Sequence, residues 1–138
     1  TNFETVSDNS VFVGKKRTQH SIHTKNCIIL NALTSDLHRG ESSRYGRPGR
    51  IPGSINIPFH ELLEKNTHKL LNPTKALAII KEKNINRETR VLNYCGGGIA
   101  ATLNAFVLRQ LGIENLEIYD NSMSEWAKDT SLPIETTE

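Results

Sequence analysis

Residues 90–111, RVLNYCGGGIAATLNAFVLRQL, run from a short apolar strand through a cysteine and three consecutive glycines straight into a helix. Strand, turn and helix in immediate succession are the unit from which parallel α/β sheets are built. Glycine costs about 0.5–1 kcal/mol of backbone entropy inside a regular element. Three in a row indicate a turn that needs bare backbone more than it needs stability.

The remaining segments agree with that unit. CIILNAL (27–33) reads as a strand, and SINIPF (54–59) as a second, stopped by Pro58. Asn72 and Pro73 supply a cap and a first helical position for TKALAIIKEKN. The helix after the glycines places Ile99, Leu103, Phe106, Val107 and Leu111 on one apolar face and stops at Gly112. LEIYD (116–120) is a further strand. This alternation predicts an α/β fold with a mainly parallel central sheet flanked by helices. With 138 residues and no internal repeat or second core, residues 1–138 read as one domain. The stretch TSDLHRGESSRYGRPGR reads as a long polar loop carrying Arg39, Arg44, Arg47 and Arg50, and Lys15–Lys16–Arg17 as a solvated face or turn.

A net charge of +2 gives no reason to expect nucleic acid as a partner, and no apolar run is long enough for a bilayer. The first residue is Thr1, so targeting information can lie upstream of it. Cys27 opens one strand and Cys95 closes another. In a parallel sheet their sulfurs lie at opposite edges, about 15 Å apart at about 3.3 Å per residue, beyond disulfide reach. Two free thiols point to a reducing compartment, the cytoplasm. His20 and His23 lack partners at metal-ligand spacing, so neither a metal nor a cofactor is expected.

Ligands of parallel sheets bind beyond the carboxyl ends of the strands, which is where Cys95 falls. The glycines let successive N–H groups turn inward as an anion-binding nest, and the following helix adds partial positive charge. Such a cradle, Gly96, Gly97, Gly98, Ile99 and Ala100, favours a thiolate at Cys95. The alternative is a buried cysteine acting as a small hydrophobe. A nucleotide loop is disfavoured because neither G-x-G-x-x-G nor G-K-[ST] is present. Cysteine phosphatases clamp phosphate with an arginine six positions after the nucleophile; here that position is Ala101.

Three motifs in order carry a family resemblance. GRIPGSINIPF (49–59) resembles G-H-I-P-G-A-x-N-x-P with Arg50 in place of histidine. YCGGGIAA (94–101) resembles the active-site loop C-x-x-G-x-x-A. LGIENLEIYDNSMSEW (111–126) resembles L-G-x-x-x-V-x-x-Y-D-G-S-W-x-E-W, with Asn121 and Met123 substituted. Over residues 27–135 the chain thus resembles a rhodanese-homology domain. The arginine-bearing loop is similar to that of the C-terminal, catalytic domain of tandem thiosulfate and 3-mercaptopyruvate sulfurtransferases, which implies a second such domain in a parent chain.

The resemblance implies that Cys95 takes the sulfane sulfur of a donor such as thiosulfate, forms a persulfide and passes the sulfur to cyanide, a thiol or a thiol protein. Its backbone cradle would be residues 96–100, and Arg39, Arg44, Arg47 and Arg50 would be the substrate-loop charges. Mercaptopyruvate enzymes carry D-x-R-x-x-x-R at the strand end, where this chain has Asn31, Leu33 and Leu37, and a hydroxyl residue where it has Gly97. These departures leave a weakly catalytic binding or regulatory module as the alternative. Trp126 and the YDNS turn read as packing, and Asn31 as a prop for the sheet edge.

Overall fold

The computed structural model describes residues 11–137. Five strands, β1 (Phe12–Val13), β2 (Cys27–Asn31), β3 (Ile55–Asn56), β4 (Arg90–Tyr94) and β5 (Leu116–Tyr119), form one sheet in the order β1-β5-β4-β2-β3. Every pairing is parallel. The helices are α1 (Lys15–Ser21), α2 (Ser35–Arg39), α3 (Pro73–Glu82), α4 (Ile99–Gln110) and α5 (Ser122–Trp126). The architecture is the α/β sheet that the alternation predicts.

The central strand β4 is apolar and buried on both faces, the usual state of an inner parallel strand. Leu92 and Tyr94 join Ile29, Met123 and Trp126 in one core. Val91 joins Leu30, Ala76, Ile80 and Leu108 in the other. Register sets Cys27 opposite Arg90 and Asn31 opposite Tyr94. Cys27 therefore lies at the amino edge of the sheet and Cys95 one residue beyond its carboxyl edge, and both are free thiols. Asn72 caps α3, its Oδ1 accepting the Thr74 N–H at 2.8 Å, as its place before Pro73 predicts. Gly112 leaves α4 with φ +88°, the left-handed geometry of a helix stop.

Three local expectations need correction. The polar loop contains α2, which ends at Gly40 in the left-handed region; five residues are too few to show helical periodicity. The strand expected over 54–59 pairs only at Ile55–Asn56, and Phe59–Leu62 forms a 3-10 turn instead. The basic run 15–17 is a solvated face as expected, on the first turn of α1, and Arg17 there grips the Glu117 carboxylate at 3.1 and 3.0 Å. Arg90 meets the same carboxylate at 3.3 Å, so two guanidinium groups offset its burial. The buried face of α4 is Ala101, Asn104, Ala105, Val107 and Leu108, whereas Ile99 is 88% exposed and Phe106 48%. Small residues let α4 lie close to the sheet, and apolar spacing alone does not distinguish a core face from a cavity wall. The opening residues 1–10 lie outside the described residues.

Asn31 props the carboxyl edge as expected. Its Oδ1 accepts the Leu33 N–H at 2.9 Å and its Nδ2 donates to His38 Nδ1 at 3.0 Å. His38 is thereby held as a neutral acceptor. Burial, with the Arg50 guanidinium adding to it, pulls its pKa down to about 4 from 6.5. Between those values the unfolded chain binds the proton that the folded one refuses, so stability declines as pH falls from about 6.5 to about 4. His38→Gln is expected to flatten that part of the profile, measured as the urea midpoint against pH.

Candidate active site

Cys95 follows the last residue of β4, and its backbone is fixed from both sides. Its N–H donates to Ser122 Oγ at 3.0 Å, and its carbonyl accepts the Met123 N–H at 3.0 Å. Ser122 Oγ–H is itself committed to the Tyr119 carbonyl at 2.6 Å, so it orients the cysteine rather than protonating it. The Gly96 carbonyl is drawn the same way, accepting Ser124 N–H at 2.9 Å and Ser124 Oγ–H at 2.7 Å. With its carbonyls tied to α5, the loop is left with its N–H groups. Gly98 N–H donates to Cys95 Sγ at 2.9 Å. Among the described residues, the N–H groups of Gly96, Gly97, Ile99 and Ala100 have no protein acceptor. The Gly98 N–H is thus the loop amide directed at the sulfur.

The three glycines have different reasons to be glycine. A Cβ at Gly96 would overlap the Tyr45 hydroxyl. Gly98 has φ +98°, and a Cβ there would stand 2.6 Å from Asp120 Oδ1 and 2.7 Å from its carbonyl oxygen. Gly97 faces open space, so only its exposure to whatever enters the site constrains it.

Cys95, which is 2% exposed, sits at the floor of a cavity of about 460 Å³. Gly96, Gly97, Ile99 and Ala100 line the same cavity, while Gly98 lies behind the sulfur. The walls are Leu33, Leu37, Phe59, Leu63 and Leu103 with Tyr45. Leu33 and Leu37, aligned by sequence with carboxylate-binding arginines, do occupy this wall. Ala101, at the phosphatase arginine position, is fully buried.

The four loop arginines do not converge. Arg44 lines the cavity, its guanidinium 5.6 Å over the Tyr45 ring. The other three are engaged elsewhere and do not line it. Arg39 pairs with Glu41 at 3.0 Å. Arg47 donates to the carbonyls of Trp126, Ala127 and Asp129, fastening the loop to the end of α5. Arg50 binds Glu135, the His38 carbonyl and Thr137. Sequence reasoning missed Tyr45 and Ser122. A tyrosine inside a glycine-rich basic loop was the available signal for the first; Ser122, held at φ +51°, gave none. Trp126, fully buried, is packing as expected. Among the described residues no cluster of three or more His, Cys, Asp or Glu is placed to hold a metal, and no helix is long and apolar enough to cross a membrane.

The family model for the rhodanese-like domain matches residues 22–129. The chain is 35% identical over 92 residues to thiosulfate/3-mercaptopyruvate sulfurtransferase 1, mitochondrial, of Arabidopsis thaliana, covering 67% of this chain and 24% of that protein. It is 30% identical over 89 residues to the 3-mercaptopyruvate sulfurtransferase of Escherichia coli K12, covering 64% of this chain and 31% of the relative. The chain thus spans about a quarter to a third of those relatives' length. The wild-type structure of EanB superposes with a TM-score of 0.87 at 20% identity, over 96% of this chain and 33% of that one. At that identity the likeness is one of fold.

The glycines give a ranked expectation. Gly97→Ala changes stability by no more than about 0.5 kcal/mol, and Gly98→Ala costs about 1–3 kcal/mol for its left-handed backbone. Gly96→Ala lies between if Tyr45 swings out, which its fluorescence would report. Urea unfolding of the three variants measures the order.

Proposed function

The chain belongs to the rhodanese-like domain family, and on that ground we propose that it transfers sulfane sulfur through a persulfide on Cys95. The observation that carries this reading is the Gly98 N–H at 2.9 Å from Cys95 Sγ, at a cavity that Gly96, Gly97, Ile99 and Ala100 also line.

The Cys95 thiolate attacks the outer sulfur of the donor. With thiosulfate the S–S bond breaks, sulfite leaves with the bonding pair, and Cys95 carries the persulfide. Cyanide or a thiolate then takes the terminal sulfur and regenerates the Cys95 thiolate. This is covalent catalysis in two displacements. Donors fixed before the reaction stabilise the sulfur anion without reorganising, and here Gly96, Gly97, Gly98, Ile99 and Ala100 supply them. Arg44, the guanidinium on the cavity wall, meets the anionic end of a charged donor. Residues 1–138 act as one catalytic unit in this reading, whether or not a second such domain accompanies it, and a reducing compartment keeps Cys95 free.

Intact mass after incubation with thiosulfate is expected to show one added sulfur, removed by cyanide. Cys95→Ser is expected to abolish the gain and Cys27→Ser to preserve it; loading that survives Cys95→Ser sinks the proposal. Loading by no donor, on folded protein, favours the binding module. Arg44→Ala is expected to raise KM for thiosulfate about two- to fivefold, the worth of an exposed ion pair, with kcat unchanged.

A further inference from the structure

We infer that the cavity over Cys95 favours the alkyl body of an organic thiol or persulfide over a small dianion or an α-keto acid. The assignment deepens the sulfur-transfer reading and rests on it for the chemistry, though not for the binding preference.

Three observations converge. First, the walls are apolar where an acid-binding site needs cations. Leu33, Leu37, Phe59 and Leu103 face the space, and Arg44 is the one charged side chain among the described lining residues. Its guanidinium lies over the Tyr45 ring, so even that charge is drawn towards an aromatic face. A carboxylate or sulfonate moved onto those leucines would lose water without gaining a partner. Second, Ile99 stands 88% exposed beside the nucleophile. It carries apolar surface that an alkyl chain would cover. Third, Cys95 is 2% exposed, so the body of the molecule that brings a sulfur to it must pack against the surrounding wall. The volume, about 460 Å³, is that of a small-molecule site. A cysteine persulfide on a folded protein surface would have to enter that depth on a short side chain.

The corresponding step balances without any added reductant or oxidant. The Cys95 thiolate attacks the outer sulfur of R–S–SH, and that sulfur moves with its proton to give Cys95–S–SH. The inner S–S bond breaks, and R–S⁻ leaves with the bonding pair.

The test separates binding preference from transfer. With Cys27→Ser leaving Cys95 as the sole thiol, the rate of mixed-disulfide formation is measured by intact mass with alkyl methanethiosulfonates from ethyl to hexyl, and with the anionic sulfonatoethyl reagent. Each rate is normalised to that of a free cysteine derivative. Normalised rates are expected to rise with chain length, by up to about fourfold for each methylene that becomes fully buried. The sulfonatoethyl reagent is expected to fall below ethyl. Ile99→Ser, at an exposed position, should flatten the length dependence, and Leu33→Arg should raise the anionic reagent relative to hexyl. Rates independent of chain length, or an anionic reagent faster than its neutral counterpart, overturn the assignment. Both of those outcomes are read on the unaltered cavity wall, so they hold even if Leu33→Arg does not fold. Parallel incubation with hexyl persulfide reads transfer: if no sulfur is gained while the length dependence holds, the cavity assignment stands and the transfer reading falls.

Discussion

The site depends on one loop being pulled inside out. Peptide units 95–97 would ordinarily present carbonyls and N–H groups to solvent in alternation. Here the Cys95 and Gly96 carbonyls are taken by the backbone of Met123 and the backbone and hydroxyl of Ser124. The Gly98 N–H is directed at the sulfur at 2.9 Å, and in the proposed reaction its neighbours add their N–H groups to it. Ser122 completes the device by holding the Cys95 N–H and thereby the direction of the side chain. The start of α5, a helix of five residues, thus holds the backbone of a loop 27 positions earlier in the chain.

That dependence explains where the rest of the fold is rigid. Arg47 ties the far end of α5 to the polar loop through three carbonyls. Tyr94, at the end of β4, accepts the Ile51 N–H at 3.2 Å and shares a hydrogen with Ser54 at 2.8 Å. The loop that delivers Tyr45 over Gly96 is therefore anchored at two points on its C-terminal side. In the proposed reaction the stabilising groups are backbone atoms, which leaves the side chains around the cavity, Leu33 and Leu37 among them, to set what enters it.

Much of this is legible in the sequence because it rests on local patterns. The strand–cysteine–glycine–helix run locates Cys95 at the carboxyl edge, and the Asn72–Pro73 pair locates a helix start. Leu33 and Leu37 are marked by the family motif from which they depart, and both line the cavity. What is not legible depends on tertiary partners. Four arginines in one polar loop look alike in sequence, yet Arg47 and Arg50 meet carbonyls and Glu135 that lie about 80 positions away. Apolar spacing on the helix after the glycines cannot reveal that Ile99 lines a cavity, because a cavity wall and a core face share a period. Ser122 gives no local sign of reaching Cys95, since its partner is brought to it by the pairing of β4 with β5.

The central claim is that a persulfide on Cys95 is held by the loop's own amides. The most direct measurement is the 1H–15N spectrum of the uniformly labelled protein before and after sulfur loading. Selective downfield proton shifts at Gly96, Gly97, Gly98, Ile99 and Ala100, reversed on adding cyanide and absent in Cys95→Ser, are the predicted result. Loaded protein whose loop amides do not move, or whose shifts cluster around Cys27, would contradict the account.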